Sequence, residues 1–175
     1  MEKEIEILKK AYAYFRRAIQ APTVRKPRQL MESFGFDVNY INVGYNSAQI
    51  HHRQPVEFIK QLESVGLLLD TEHLSKSGAN GYKIFGGYSV VFPLVNRQDE
   101  VVNLFALPID KGEGVFLNND GFYPCAPNGN TDKLIIASNP LEVALLKQFS
   151  ELKDFEIISL VNGKFESSFG GSRWL

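Results

Sequence analysis

The segment KLIIASNPLEVALLKQF, from Lys133 to Phe149, predicts a buried strand that passes through a sharp turn into a helix. In open α/β sheets, ligands bind outside the carboxyl ends of such strands, and many enzymes place an acid there. Here that end carries Ala137, Ser138 and Asn139. The segment therefore predicts either a site that has lost its chemistry or a packing element in which Ser138 or Asn139 caps the helix.

Two apolar segments upstream of this unit predict an antiparallel hairpin. Residues 88–95 (YSVVFPLV) and 100–109 (EVVNLFALPI) are rich in β-branched and aromatic residues, and a polar turn separates them. The sequence GVFLN predicts a third short strand. Downstream, FEIISLVNG predicts another buried strand, so that strand, helix and strand follow in order. This order indicates a parallel pair with a right-handed crossover.

The first part of the chain is predicted to be largely helical. In residues 2–20 the apolar side chains recur at a spacing of three and four, which puts them on one face of a helix. These residues are Ile5, Leu8, Tyr12, Phe15 and Ile19. A second helical pattern covers residues 28–34 and stops at Gly35. A third begins at Pro55 and stops at Gly66, because glycine readily ends a helix.

Two segments interrupt this helical region. Residues 38–53 (VNYINVGYNSAQIHHR) contain enough apolar residues for a strand, with a turn following Gly44. Residues 70–81 (DTEHLSKSGANG) are polar and punctuated by glycine, which predicts an exposed loop.

The charge of the chain is unevenly distributed. The formal net charge is −1, which taken alone argues against a protein coated in positive charge. Residues 1–30, however, hold eight Lys or Arg against three Glu. A basic end of this kind either contacts phosphate or forms a solvated helix face. The candidate phosphate-binding residues are Lys9, Lys10, Arg16, Arg17, Arg25, Lys26, Arg28 and Arg53.

Several classes of protein are disfavoured. No apolar run approaches the roughly 20 residues that span a bilayer, and the charged N-terminus lacks the features of a signal peptide. We therefore expect a cytoplasmic protein. Cys125 is the only cysteine, so an internal disulfide is impossible, and a cysteine-based zinc site would need at least two more thiolates or well-placed histidines. His51 and His52 are adjacent, and on an extended segment their side chains would point apart, so we expect no metal site there.

Four segments carry a resemblance to a known family. AYAYFRRAIQ resembles the opening helix of the bacterial DNA primase catalytic core, and VGYNSAQIHH resembles its glycine-tyrosine element, with Gly44 and Tyr45 in the matching places. VVFPLVNRQDEVVNLFALPI resembles the primase hairpin, and GFYPCAPNGNTDKLIIASNPLEVALLKQF resembles the entry into its TOPRIM fold. The likeness extends from about Ala11 to Gly163 and also includes primase-like proteins of Bacteroidetes mobile elements.

The resemblance implies where catalytic acids would lie. In TOPRIM proteins the first strand ends in a glutamate, followed by a glycine and, further along, an aspartate, and a later Asp-x-Asp pair binds Mg²⁺. The matching positions here are Ser138, Asn139 and Glu142, of which only Glu142 has a carboxylate. No aspartate follows Asp154, so the pair has no candidate in this sequence. We therefore expect an incomplete TOPRIM-like unit without a metal site or cofactor.

These observations predict an α+β fold. We expect a helical N-terminal subdomain (residues 1–81), a β-hairpin with a partial TOPRIM-like βαβ unit (residues 82–163) and a tail (residues 164–175). The predicted function is that of a non-catalytic, primase-related protein that binds single-stranded or duplex DNA or assists replication of a mobile element. The alternatives are a module that binds a replication protein through its TOPRIM remnant, or a fragment of an active primase.

Overall fold

The structure, a computed structural model, describes residues 2–74 and 80–161. Within these ranges the helices are α1 (Glu2–Gln20), α2 (Lys26–Ser33), α3 (Val56–Ser64) and α4 (Pro140–Leu146). The strands are β1 (Gly44–Asn46), β2 (Leu68–Leu74), β3 (Asn80–Ile84), β4 (Ser89–Val95), β5 (Val101–Pro108), β6 (Val115–Phe116), β7 (Phe122–Tyr123), β8 (Leu134–Ala137) and β9 (Glu156–Leu160). The predicted α+β class is confirmed, whereas the predicted tail lies outside the described residues.

Seven of these strands form one mixed sheet in the order β6-β5-β4-β7-β9-β8, with β1 also paired to β4. The predicted hairpin is present as the antiparallel pair β4 and β5, and the predicted parallel pair is present as β8 and β9. Strand β7 links them, because Phe122 lies opposite both Val95 of β4 and Leu160 of β9. A two-residue strand shows no periodicity, so β7 could not be predicted from the sequence.

The central strand β4 separates two hydrophobic cores. All seven of its residues are buried, and successive side chains point to opposite faces. Phe92 packs with Met31 in one core, whereas Val91 packs with Phe15 and Leu62 in the other. Helix α1 therefore covers one face of the sheet while α2 contributes to the other.

Gly44 allows β1 to lie directly against α1. A Cβ atom at this position would lie 2.7 Å from Phe15 Cβ and 2.8 Å from the Phe15 carbonyl carbon. Side chains do not tolerate such contacts with backbone atoms, so the close packing requires glycine. The glycine of the predicted glycine-tyrosine element thus has a packing role.

Two predictions for the N-terminal region require correction. Residues 70–81 were expected to form an exposed loop, but β2 and β3 pair as an antiparallel hairpin on either side of residues 75–79, which lie outside the described residues. Backbone pairing outweighed the polar composition here. The second helix begins at Lys26 rather than Arg28, because Pro27 fits the first helical turn.

The predicted boundary between residues 81 and 82 falls within β3, and the division into subdomains remains a prediction.

None of the described helices combines the length and the apolar character needed to cross a membrane.

Candidate nucleic-acid interface

The turn between β8 and α4 is held by reciprocal hydrogen bonds. Asn139 is the N-cap of α4, and its Oδ1 accepts a hydrogen bond from Glu142 N at 3.0 Å. Glu142 Oε2 accepts one from the backbone N–H of Ser138 at 2.9 Å. This is a variant of the capping box, in which side chains satisfy backbone N–H groups around a helix start. The expected cap is therefore present, with Asn139 rather than the Ser138 hydroxyl as the acceptor.

The three positions matched to the TOPRIM motif thus have a structural role in this turn. Ser138 and Glu142 are exposed, and the Glu142 carboxylate is engaged by a backbone N–H. A neutral serine hydroxyl neither relays protons efficiently near neutral pH nor neutralises a divalent cation. Among residues 2–74 and 80–161, no group of three or more His, Cys, Asp or Glu could hold a metal ion.

The eight candidate phosphate-binding residues lie on α1, at the start of α2 and in the turn before α3. The exposed ones are Lys9, Lys10, Arg17, Arg25, Lys26 and Arg53, and the half-buried ones are Arg16 and Arg28. Lys10 Nζ lies 2.8 Å from Glu6 Oε1. The hydrogen bond from Lys10, together with its charge, lowers the pKa of Glu6. Because exposed ion pairs of this kind contribute little, Lys10 can exchange Glu6 for another anion.

A groove of about 270 Å³ lies between α1 and the segment that leads into α3. It is lined by two cations and two aromatic residues, which are Lys10, Arg17, Tyr14 and Phe58. Gln54, which follows Arg53, also lines it. Cations that can meet phosphates beside rings that can stack on bases are the features of surfaces that bind single-stranded nucleic acid.

The cations of this groove are among the residues predicted from the sequence, whereas its aromatic residues are not. Lys10, Tyr14 and Arg17 are separated by four and three positions on one helix, which is the spacing of neighbours on a helix surface. That spacing could have grouped Tyr14 with the cations. Phe58 lies 41 residues beyond Arg17 in the sequence, so only the folded structure brings it to the groove.

Arg16 differs from the other cations because its guanidinium is hydrogen-bonded to the loop before β1. Its Nη1 donates to the carbonyl oxygens of Val38 at 2.8 Å and Val43 at 3.0 Å. One helical turn earlier, Tyr12 Oη donates to Asn42 Oδ1 at 2.7 Å, and burial raises the pKa of Tyr12 so that its phenol stays neutral. Both side chains hold the loop before β1 against α1. Arg16 therefore has a structural role, and the case for phosphate contact rests on the other cations.

The two adjacent histidines are arranged differently from the expectation. Residues 50–53 form a turn, and the rings of His51 and His52 contact each other edge to face, with centroids 4.4 Å apart. The premise of an extended segment was therefore wrong. Burial, with a smaller contribution from the charge of His52, lowers the pKa of His51. His51 Nδ1 is buried and has no hydrogen-bond partner among the described residues.

Comparisons with known proteins define the class of fold. No protein-family model and no curated protein sequence matches this chain. Its fold is nevertheless similar to that of the catalytic domains of DnaG primases, and the resemblance predicted from the four sequence segments is confirmed at the level of the fold.

Three solved structures illustrate the similarity. A DnaG primase catalytic domain bound to single-stranded DNA superposes with a TM-score of 0.70 at 12% identity, covering 96% of this chain and 58% of that one. The RNA polymerase domain of Mycobacterium tuberculosis DnaG, in complex with a DNA duplex that has a 6-nucleotide overhang, superposes with a TM-score of 0.68 at 13% identity. The match covers 95% of this chain and 56% of that one. The E. coli primase catalytic core superposes with a TM-score of 0.67 at 14% identity, and the match covers 90% of this chain and 54% of that one. The chain thus spans about half the length of these structures, and at such low identity the similarity establishes the fold alone.

Proposed function

We propose that this chain binds single-stranded nucleic acid through the groove between α1 and the segment before α3, without synthesising a primer. The observation that carries the proposal is that Lys10 and Arg17 share this groove with the rings of Tyr14 and Phe58. Lysine and arginine neutralise phosphates and release counterions, and aromatic rings stack on bases of any sequence. By resemblance, the role would be accessory to DNA replication of a mobile element.

Two further observations support this reading. The primase domains of similar fold include one bound to single-stranded DNA and one bound to a duplex with a six-nucleotide overhang. Arg53 precedes a groove-lining residue and is exposed, so it extends the positive charge at this surface.

The non-catalytic part of the proposal rests on the turn between β8 and α4. Ser138 stands at the position of the TOPRIM glutamate, and the nearby carboxylate of Glu142 accepts a hydrogen bond from the Ser138 backbone. A template-dependent priming assay with Mg²⁺ or Mn²⁺ tests this part. We expect no product, and any primer synthesis would instead favour a fragment of an active primase.

The binding part is tested by charge reversal. We expect the double variant Lys10→Glu with Arg17→Glu to bind a fluorescent single-stranded oligonucleotide much more weakly than the wild type, measured by anisotropy. The matched control is Lys111→Glu with Lys153→Glu, which makes the same charge change at exposed positions outside the groove. Equal losses in both double variants would indicate a general effect of net charge and would refute the groove as the binding site.

A second candidate function is docking of a replication protein on the partial TOPRIM-like unit. The observation that favours it is the exposure of two apolar side chains in this unit, Ile136 at 49% and Phe149 at 57%. A pull-down with purified replication proteins tests it, with Ile136→Ser and Phe149→Ser as the disrupting variants. Binding that survives both substitutions would exclude these two side chains as the docking site.

A further inference from the structure

A separate cavity of about 470 Å³ lies at the carboxyl end of α4, at the opposite end of the helix from Ser138. Its walls come from the loop after α2, the end of β7 and α4, and its principal lining residues are Phe36, Tyr40, Ile41, Tyr123 and Lys147. The volume is within the range of small-molecule pockets, and the lining is mainly apolar with a few polar groups, as such pockets usually are.

The walls of this cavity are fixed by hydrogen bonds that span distant parts of the chain. Gln148, which lines the cavity, donates from Nε2 to the carbonyl oxygen of Phe34 at 3.1 Å and so ties the end of α4 to the end of α2. On the other side, the Val38 carbonyl oxygen accepts hydrogen bonds from Arg16 and Gln20 of α1. The loop between these anchors is held in place, which lowers the entropic cost of binding a ligand.

The cavity presents aromatic surface to solvent. Tyr40 is 91% exposed, although it is held in a turn in which its N–H donates to the Asp37 carbonyl oxygen at 3.0 Å. Tyr123 lies deeper, 6% exposed, and burial raises its pKa to about 12, so its phenol is neutral at physiological pH. An exposed ring on a fixed turn is suited to stack on a flat aromatic ligand.

Two opposite charges flank the aromatic surface. Lys147 offers an exposed ammonium group to a phosphate. Asp37 also lines the cavity, and its Oδ1 accepts a hydrogen bond from the backbone N–H of Asn39 at 2.8 Å. A carboxylate has about four acceptor sites on its two oxygens, so Asp37 can also accept from an amino group. A ligand with an amino group, a flat ring and a phosphate matches all three features.

We propose that this cavity binds one nucleoside monophosphate unit, with its base stacked on Tyr40, an exocyclic amino group donating to Asp37 and its phosphate beside Lys147. The unit is either a free nucleotide or one residue of a single strand, and in the second case the inference rests on the function proposed above. A carboxylate accepts but does not donate, so it can pair with the N4 amino group of cytosine but is repelled by the O4 acceptor that thymine carries at the same position.

The test is calorimetric titration of the full chain with dCMP, with dTMP and deoxyribose 5-phosphate as comparisons. We expect dCMP to bind more tightly than dTMP, which lacks the amino group, and roughly tenfold or more tightly than deoxyribose 5-phosphate, which lacks the base. No binding of dCMP at millimolar concentration, or equal binding of deoxyribose 5-phosphate, would overturn the proposal.

Variants locate the binding within the cavity. Tyr40→Ala should weaken dCMP binding roughly tenfold or more, whereas Tyr88→Ala, which removes an exposed tyrosine elsewhere, should leave it unchanged. Asp37→Asn keeps an oxygen for the Asn39 N–H and should abolish the preference for dCMP over dTMP. Equal effects of Tyr40→Ala and Tyr88→Ala would place the ligand elsewhere and refute the assignment.

A competition experiment distinguishes the source of the nucleotide. If a deoxycytidine oligonucleotide displaces dCMP and binds Tyr40→Ala less tightly, the cavity takes one residue of a strand. If it does not displace dCMP, the ligand is a free nucleotide. The two proposals fail separately: the groove fails if Lys10→Glu with Arg17→Glu binds the oligonucleotide normally, and the cavity fails if dCMP does not bind.

Discussion

At the start of α4, polar and charged side chains are hydrogen-bonded to the backbone of their own turn, whereas on α1 Lys10 and Arg17 face solvent beside Tyr14 and Phe58. The groups of the first region hold their own turn, while those of the second are available to a ligand.

A similar contrast separates neighbouring residues within α1. Arg16 donates to two backbone carbonyl oxygens, while the exposed side chain of Arg17 lines the groove. Phe15 is fully buried, while Tyr14 faces the groove. Pairs of adjacent substitutions can therefore separate stability from binding.

The largest expected effect is on the buried side of α1. Phe15→Ala should lower the free energy of unfolding by about 3–5 kcal/mol, because it removes a fully buried ring from the core shared with Val91. Tyr14→Ala should cost much less stability but weaken oligonucleotide binding. Urea denaturation and anisotropy measure the two effects, and a larger stability loss in Tyr14→Ala would reverse the assigned faces of the helix.

The next effect separates the two adjacent arginines. Arg16→Ala should destabilise the protein by about 1–3 kcal/mol, because two backbone carbonyl oxygens lose a charged donor. Arg17→Ala should stay within about 0.5 kcal/mol of the wild type, as most surface substitutions do. Thermal denaturation provides the comparison, and equal losses would contradict the structural role of Arg16.

A smaller effect is expected at the start of α4. Asn139→Ala should cost about 1 kcal/mol, because the Glu142 N–H loses its acceptor. Ser138→Ala keeps the backbone N–H that Glu142 accepts from and should change stability by less than about 0.5 kcal/mol. Neither variant should change oligonucleotide binding. A loss of binding in Asn139→Ala without a loss of stability would show that this turn contacts the ligand.

The smallest effect concerns pH. Burial lowers the pKa of His51 below its usual value of about 6.5, so the folded state binds a proton less readily than the unfolded state. The stabilisation from neutral His51 is present above about pH 6.5 and is lost as the pH falls through the lowered pKa of the folded state. We expect His51→Gln to have a shallower decline in melting temperature over this range. A decline identical to the wild type would exclude His51 as its source.

Local patterns in the sequence predicted the elements that depend on periodicity or capping. Spacing and residue type were sufficient to predict four features, which are helix α1, the β4 and β5 hairpin, the parallel pair of β8 and β9, and the Asn139 cap. Strand β7 could not be predicted because it is only two residues long. The β2 and β3 hairpin could not be predicted because residues 70–81 are polar and punctuated by glycine. Likewise, the charge pattern of the sequence predicts Lys10 and Arg17 as phosphate-binding candidates, but only folding brings Phe58 beside them.

The proposed contacts of Lys10 and Arg17 with phosphates should appear in the salt dependence of oligonucleotide binding. For the wild type, the logarithm of the binding constant should fall linearly with the logarithm of the salt concentration. Replacing both residues with alanine should reduce the magnitude of that slope by about 1.4, since each phosphate contact on a single strand contributes about 0.7. An unchanged slope would contradict the proposed interface.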